Sequence, residues 1–330
     1  MRLLLVVLAL GSALVTLAGQ RVTAGTLYVT NRGSGTLAIL DDSTLRVREV
    51  IPVGERVWGV AVAPDRTAAC VSYSAGVAVV NLKTGSVEHH VALGGQGMGV
   101  AMSLDGMLCY VAVHRLDEDG LVAVDRRSGQ IRGQVPIGKR AFGVYLSPDG
   151  QSLYVPEHDA FSLSVIDAAS LTTRRRLPLR PLGEGAFEKP HYLAMSSDGT
   201  RLYLPFQGRA LVVIDIPAWT VAVHPLDIHA HQHGLAISRD GGRLYLANNV
   251  FGGEGSLSEV DTKTFQELRR IPLSEHHEQV VLNSITRRVY LTGGFALGGH
   301  DELTVVELET GSVTQVGTGG KRPFAILRLP

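Results

Sequence analysis

The sequence has 330 residues, with 31 Lys and Arg balanced by 31 Asp and Glu, and apolar residues make up 45% of it. Zero net charge with neutral histidines gives no electrostatic reason to expect a nucleic acid or an anionic membrane surface as partner. The length allows one large all-β domain or two smaller ones, and the apolar fraction is enough for a sizeable core.

The chain opens on Met1-Arg2, an apolar run from Leu3 to Ala18, and the small-residue step Val22-Thr23-Ala24. This is the order of a secretory signal peptide, and the run is short for a membrane span. The reading is a signal peptide over 1–24, cleavage before Gly25, and one domain over 25–330. No cysteine lies near the cleavage site, and no membrane anchor is expected after cleavage. The mature protein is expected to be exported, periplasmic or secreted, and monomeric.

From Leu27 onward the chain repeats itself. LYVTN, ACVSY, CYVAV, LYVPE, LYLPF, LYLAN and VYLTG recur, with Tyr28, Tyr110, Tyr154, Tyr203, Tyr245 and Tyr290 in one slot and Cys70 in the same slot of the second copy. Steps between slots are 42, 40, 44, 49, 42 and 45 residues. Before most of these segments stands a tight turn such as SLDG, SPDG, SSDG or SRDG, a strong hairpin signal between alternating apolar runs. An apolar strand precedes each turn, as in WGVAVA or HGLAIS, and another follows each Tyr strand, as in LAILD or LVVID. A fourth follows a further turn. Helical periodicity is absent. Four antiparallel strands per repeat of roughly 44 residues predict the blades of a β-propeller. The chain starts at a Tyr strand and ends on RPFAILRLP, which matches a first strand. The prediction is seven blades, the last closed by the N- and C-terminal strands.

LYVTNRGSGTLAILD and SPDGQSLYVPEHDAFSLSVID resemble YVTN-type β-propeller repeats over nearly the whole mature chain. The wider group includes lactonase-like enzymes, the haem d1 propellers of nitrite reductase and its maturation proteins, and the copper-binding propeller of nitrous oxide reductase. The resemblance implies the scaffold and leaves the activity open.

In such a blade the first strand runs down the channel wall, and its start lies on the top face. The position seven before each turn Asp marks that start: Trp58, Met98, Phe142, His191 and His233, with His277 or Glu278 in the sixth blade and Phe324 in the closing one. One arc of this ring is apolar and the other is rich in histidine. His114 and His158 follow second strands, His300 lies in the loop after VYLTG, and His276 adjoins His277. The segment HAHQHG alternates His229, His231 and His233, and residues two apart in an extended chain share a side. Nine of the 12 histidines therefore map to the top face.

Convergent neutral imidazoles are what a metal or metallated cofactor requires. The candidate ligands are His191, His229, His231, His233 and His277, with His114, His158 and His300. Nitrogen ligation suits copper or zinc in an exported protein. Trp58, Phe142 and Phe324 are the residues on which a haem-type macrocycle would stack, with histidine as its axial ligand. Glu157 and Glu278 are candidate bases, and the crossover from Arg180 to Pro190 is a candidate lid. The Asp residues closing each third strand recur once per blade and are expected to form turns. Cys70 and Cys109 are expected as separate buried thiols, because packed sheets lie about 10 Å apart.

There is no G-x-S-x-G elbow, P-loop, dinucleotide fingerprint or H-E-x-x-H. The leading expectation is a periplasmic binding or cofactor-maturation protein that holds a metal or metallated cofactor. The alternatives are a metal-dependent oxidoreductase or lactonase-like hydrolase, and a non-catalytic scaffold for a partner protein on the top face.

Overall fold

The computed structural model describes residues 25–179, 189–206, 208–226, 231–250, 254–293 and 299–330, with only the backbone of His231 and Gln232. The signal-peptide segment, most of the expected lid and His229 lie outside the described residues.

Twenty-eight strands form seven four-stranded antiparallel sheets, and no helix occurs among the described residues. Six blades are continuous in sequence. The seventh has the order β28 (Pro323–Leu329), β1 (Thr26–Asn31), β2 (Thr36–Asp41), β3 (Val47–Pro52), so both ends of the described chain meet in one sheet. This is the predicted seven-bladed β-propeller and its predicted closure.

Burial follows strand position. The second strands are buried on both faces because each is packed between blades. β9 (Leu108–His114) and β13 (Ser152–Glu157) hold Cys109, Val111, Val113, Leu153, Tyr154 and Val155 in the core. The outer strands, such as β15 (Thr173–Pro178), are largely exposed. Seven apolar clusters result, most of them spanning neighbouring blades.

The hairpin below each first strand is built from its Asp. In blade three, Asp149 Oδ1 accepts from Ser147 Oγ (2.5 Å) and Gln151 N (3.0 Å), and Gly150 donates its N–H to Ser147 O (2.9 Å). Gly150 has φ 73°, the left-handed conformation that glycine takes without penalty. The third-strand Asp residues form turns as well: Asp125 Oδ1 accepts the N–H groups of Arg127 and Ser128, both at 3.0 Å.

The repeated tyrosines tie blade to blade. Tyr110 donates to Ala168 O and Tyr290 to Asp42 O, both at 3.0 Å, each reaching the turn of the next blade. Cys70 occupies the tyrosine slot of blade one, and here the sequence expectation needs correction. Cys70, in β5 (Ala68–Tyr73), and Cys109, in β9, form a disulfide with Cα atoms 6.2 Å apart. The 10 Å spacing belongs to parallel stacked sheets. Propeller blades converge toward the axis, and at the second strand the Cα separation has fallen into disulfide range.

Candidate metal centre

The ring residues sit where the ladder between first and second strand breaks. In β8 (Gln96–Met102) the register shifts between Gly97 and Val100, in β20 (His231–Ile237) between Gln232 and Leu235, and in β24 (His277–Asn283) between His277 and Val280. Met98, His233 and Glu278 fall inside these bulges. A bulge re-aims a side chain that a regular strand would hold against its neighbours. Hydroxyls two residues after the tyrosine slot fasten several ring carbonyls: Thr30 Oγ1 donates to Trp58 O (2.6 Å) and Thr292 Oγ1 to Phe324 O (2.5 Å). Below the ring the first strands nearly touch. A Cβ on Gly234 would lie 2.6 Å from Gln279 Cα, so glycine is required there. The narrowed channel retains a cavity of about 260 Å³ lined by Gly59, Gly99, Gly143 and Gly234 among others.

The structure settles the sixth ring position as Glu278. Its neighbour His277 points the other way, into blade six. His277 Nε2 pairs with Thr304 Oγ1 (2.8 Å), and its backbone N–H donates to Asn249 Oδ1 (2.9 Å). Strict counting could have found Glu278: it lies five before Asn283, as His233 lies five before Ser238. The lost Asp-Gly of that turn hid the register.

Three ring residues on successive blades converge. Glu278 Oε2 is 3.0 Å from His233 Nδ1, and Oε1 is 3.5 Å from His191 Nε2. One ligand atom from each residue lies within 4.8 Å of the others. Tyr192 donates its hydroxyl to Glu278 Oε1 at 2.9 Å and fixes the carboxylate. Burial, then the neighbouring His233 and His158, push the His191 imidazole well below the ordinary histidine range, so it stays neutral. Burial, then Glu278, push the Tyr192 phenol well above its ordinary value, so it remains a donor. Glu278 is 1% exposed, and no Lys or Arg pairs with it among the described residues.

The other sequence-predicted residues surround this centre at different depths. His158 stands behind His191, ring centroids 5.4 Å apart, with Nδ1 2.8 Å from Asp159 Oδ1. His114 Nε2 lies 3.1 Å from Ala141 O, and its ring meets the edge of Phe142. Phe142 packs on His191 at 4.4 Å. His277 and His300 form a separate pair, centroids 5.1 Å apart, in which His277 Nδ1 and both His300 nitrogens are buried without a hydrogen-bond partner. Burial, then His300, hold His277 at about 3, hence neutral. Within HAHQHG only His233 has a described side chain, and it is on the ring. Trp58 and Phe324 pack edge to face at 4.4 Å as a buried plug.

Glu157 is corrected as a candidate base. It is fully buried and saturated, accepting from Gly138 N (2.7 Å), Ser162 Oγ, Ser164 Oγ (2.5 Å) and Arg176 Nη2 (3.2 Å). A carboxylate with its lone pairs occupied is a structural clamp.

These features define a seven-bladed β-propeller with a two-histidine, one-carboxylate cluster at its upper mouth. No family model matches the sequence, and no curated protein matches it. Solved structures do. Hydrazine synthase of Kuenenia stuttgartiensis superposes with TM-score 0.71 at 16% identity, covering 88% of this chain and 92% of that one. The dihydro-heme d1 dehydrogenase NirN, in complex with DHE, gives 0.67 at 20% identity over 88% of this chain, which spans 63% of NirN. The periplasmic gluconolactonase PpgL of Pseudomonas aeruginosa gives 0.72 at 17% identity, covering 93% and 99%. At these identities the likeness is one of fold.

Proposed function

We propose that this protein binds a divalent metal ion at the mouth of the propeller through His191 Nε2, His233 Nδ1 and Glu278. The carrying observation is Glu278: a carboxyl group at 1% exposure that meets two imidazoles and a phenol and makes no ion pair with Lys or Arg among the described residues. A buried carboxylate is expensive to hold without a close cation, and a bound metal ion would supply one. The donor set fits the ion. Two imidazoles and one carboxylate form the ligand count of catalytic zinc sites and of non-haem iron sites, in which positions stay open for water or substrate. The nitrogen-only set expected from the histidines becomes a mixed one, which favours zinc or iron at least as well as copper. Tyr192 holds the carboxylate in place, and burial keeps the His191 donor unprotonated.

The metal would supply Lewis acidity toward an oxygen of a bound molecule, and the chain's residues would position that molecule. This supports a binding or cofactor-maturation role, with metal-assisted hydrolysis as a second reading favoured by the three-ligand count. A bare ion is preferred to a haem-type macrocycle because Trp58 and Phe324 bury against each other and offer no broad stacking face. Export fits the N-terminal sequence, and among the described residues no helix is long and apolar enough to cross a membrane. Elemental analysis of the exported protein is the test. It should find about one Zn, Fe or Cu per chain, lost in Glu278→Gln and in His191→Ala/His233→Ala. A metal-free protein that takes up none of these ions on reconstitution overturns the reading.

A further inference from the structure

The mouth carries a second ring that the histidine pattern conceals. Two residues before the ring residues stand Arg322, Arg56 and Arg140 on the aromatic arc, and Lys189, His231 and His276 on the histidine arc; Gln96 is the one exception. A basic residue type thus recurs on all blades but one, in a chain of zero net charge. Arg56, Arg140 and Arg322 are exposed, and each adopts a left-handed backbone, with φ 49°, 58° and 53°. That conformation is uncommon for any residue other than glycine. Its recurrence in one slot of three blades marks a repeated way of presenting a guanidinium at the rim.

Arg32 joins them. Its N–H donates to Arg322 O (2.9 Å), and its guanidinium lies over Trp58, Cζ 4.8 Å from the ring centroid. Burial, then repulsion from Arg56 and Arg322, lower Arg32, while Glu278 acts in the opposite sense. The guanidiniums therefore feel one another and the buried carboxylate beneath. The compensation is uneven around the mouth. Arg140 and Lys189 share Asp159, at 3.3 and 2.7 Å. No ion pair among the described residues involves Arg56 or Arg322. Beside this cationic sector, sharing Trp58 as its wall, opens a cavity of about 560 Å³ with Met98 and Phe142 on its apolar side and Arg140, Lys139, Asp119 and Asp159 on its polar side, among others. That is the size of a small-molecule site.

We propose that this collar captures a small organic carboxylate, its flat apolar body entering the cavity beside Phe142 and its carboxylate held by Arg32, Arg56 and Arg322 over the His191–His233–Glu278 centre. Guanidinium forks match carboxylates through paired hydrogen bonds, and the adjoining apolar wall selects an acid with an unsaturated or otherwise flat body over a bare anion. The inference rests on the metal reading for the ion beneath the carboxylate, whereas the collar itself is testable without metal.

The probe is 2,6-naphthalenedicarboxylate, titrated into chelator-treated protein and followed by tryptophan fluorescence. Trp58→Phe serves as the control that assigns the signal, since Trp219 lies elsewhere, beneath Arg175. We expect saturable quenching that is weakened about tenfold or more in Arg56→Gln/Arg322→Gln, with the melting temperature unchanged because both residues are exposed. The neutral dimethyl ester should bind at least tenfold more weakly, and inorganic phosphate, which guanidinium forks also accept but which has no flat body, should compete only at concentrations at least about tenfold higher than the dicarboxylate. Unchanged binding in the double variant, equal binding of the ester, competition by phosphate at concentrations equal to the dicarboxylate, or no saturable signal each overturns the proposal. Binding that persists in Glu278→Gln while the wild-type protein takes up no ion on reconstitution leaves the collar standing and removes the metal reading.

Discussion

The proposed metal site turns on a single residue, Glu278, and its neighbour His277 shows why a sequence reading stops one position short. Both are compatible with the ring slot until the bulge in β24 is seen, because adjacent residues in a strand face opposite ways. The ring itself was legible: counting back from each turn Asp gives Trp58, Met98, Phe142, His191 and His233 correctly. The burial that makes Glu157 a clamp was not legible, since its partners come from Gly138 and from Ser162 and Ser164 on the next strand. The two acids should separate experimentally. Glu157→Gln leaves buried donors poorly matched and should cost about 1–3 kcal/mol of stability in a denaturant melt, with metal content unchanged. Glu278→Gln should abolish metal uptake, while its amide oxygen can still accept from Tyr192, so the metal-free variant should stay within about 1 kcal/mol of metal-free wild type. Equal effects of the two substitutions on metal content would refute the assignment.

Elements are held together by ties that cross from one blade to the next, and the disulfide is the one that replaces a tyrosine. Cys70 takes the slot from which Tyr110 and Tyr290 reach the following blade, and it makes that connection to Cys109 covalently. Both half-cystines were visible in the sequence, but the convergence of blades toward the axis was not, so a flat-sheet spacing misplaced them. The loop enclosed spans 39 residues. Chain-entropy reasoning gives a loss of about 3–4 kcal/mol for Cys70→Ser/Cys109→Ser, read as a lower melting temperature than wild type under oxidising conditions. Tyr290→Phe, which removes one hydroxyl tie, should cost about 1 kcal/mol by the same measurement. The turn carboxylates set the acid limit. Serine and backbone donors, with Arg174 at Asp167, hold Asp167 and Asp198 at about 2, below their ordinary value. A depressed carboxyl adds stability that is complete above the unfolded-state value near 4 and is lost as pH falls toward 2. Burial lowers His114 below its ordinary value, which has the same sign and begins to act below about pH 6.5. The melting temperature should therefore be flat near pH 7–8, decline gently below about 6.5 and fall steeply below about 4. A maximum at pH 5 would contradict these assignments.

The whole molecule is a ring whose closure was read directly from the two terminal segments, because RPFAILRLP carries the pattern of a missing first strand. Closure is reinforced by a buried charge cluster. Arg328 meets Asp42 through Nη2 and Nε at 2.6 and 2.7 Å, Asn283 Nδ2 adds a bond at 3.0 Å, and Gly25 N donates to Oδ1 at 2.7 Å. Removing one partner of such a pair strands the other, so Asp42→Ala should cost about 3–5 kcal/mol and open the seventh blade to proteolysis before the rest. What the sequence could not show is how seven first strands sum at the axis: which ring side chains meet depends on the blade order and on every bulge at once. That sum places two imidazoles and a carboxylate within 4.8 Å of one another. X-ray absorption of the zinc-loaded protein tests this most directly. The expected spectrum has two imidazole nitrogens and a carboxylate oxygen at about 2.0–2.2 Å plus exchangeable oxygen, with the imidazole signature reduced in His233→Ala. A site of three or more imidazoles, or zinc bound by oxygen alone, would contradict the centre described here.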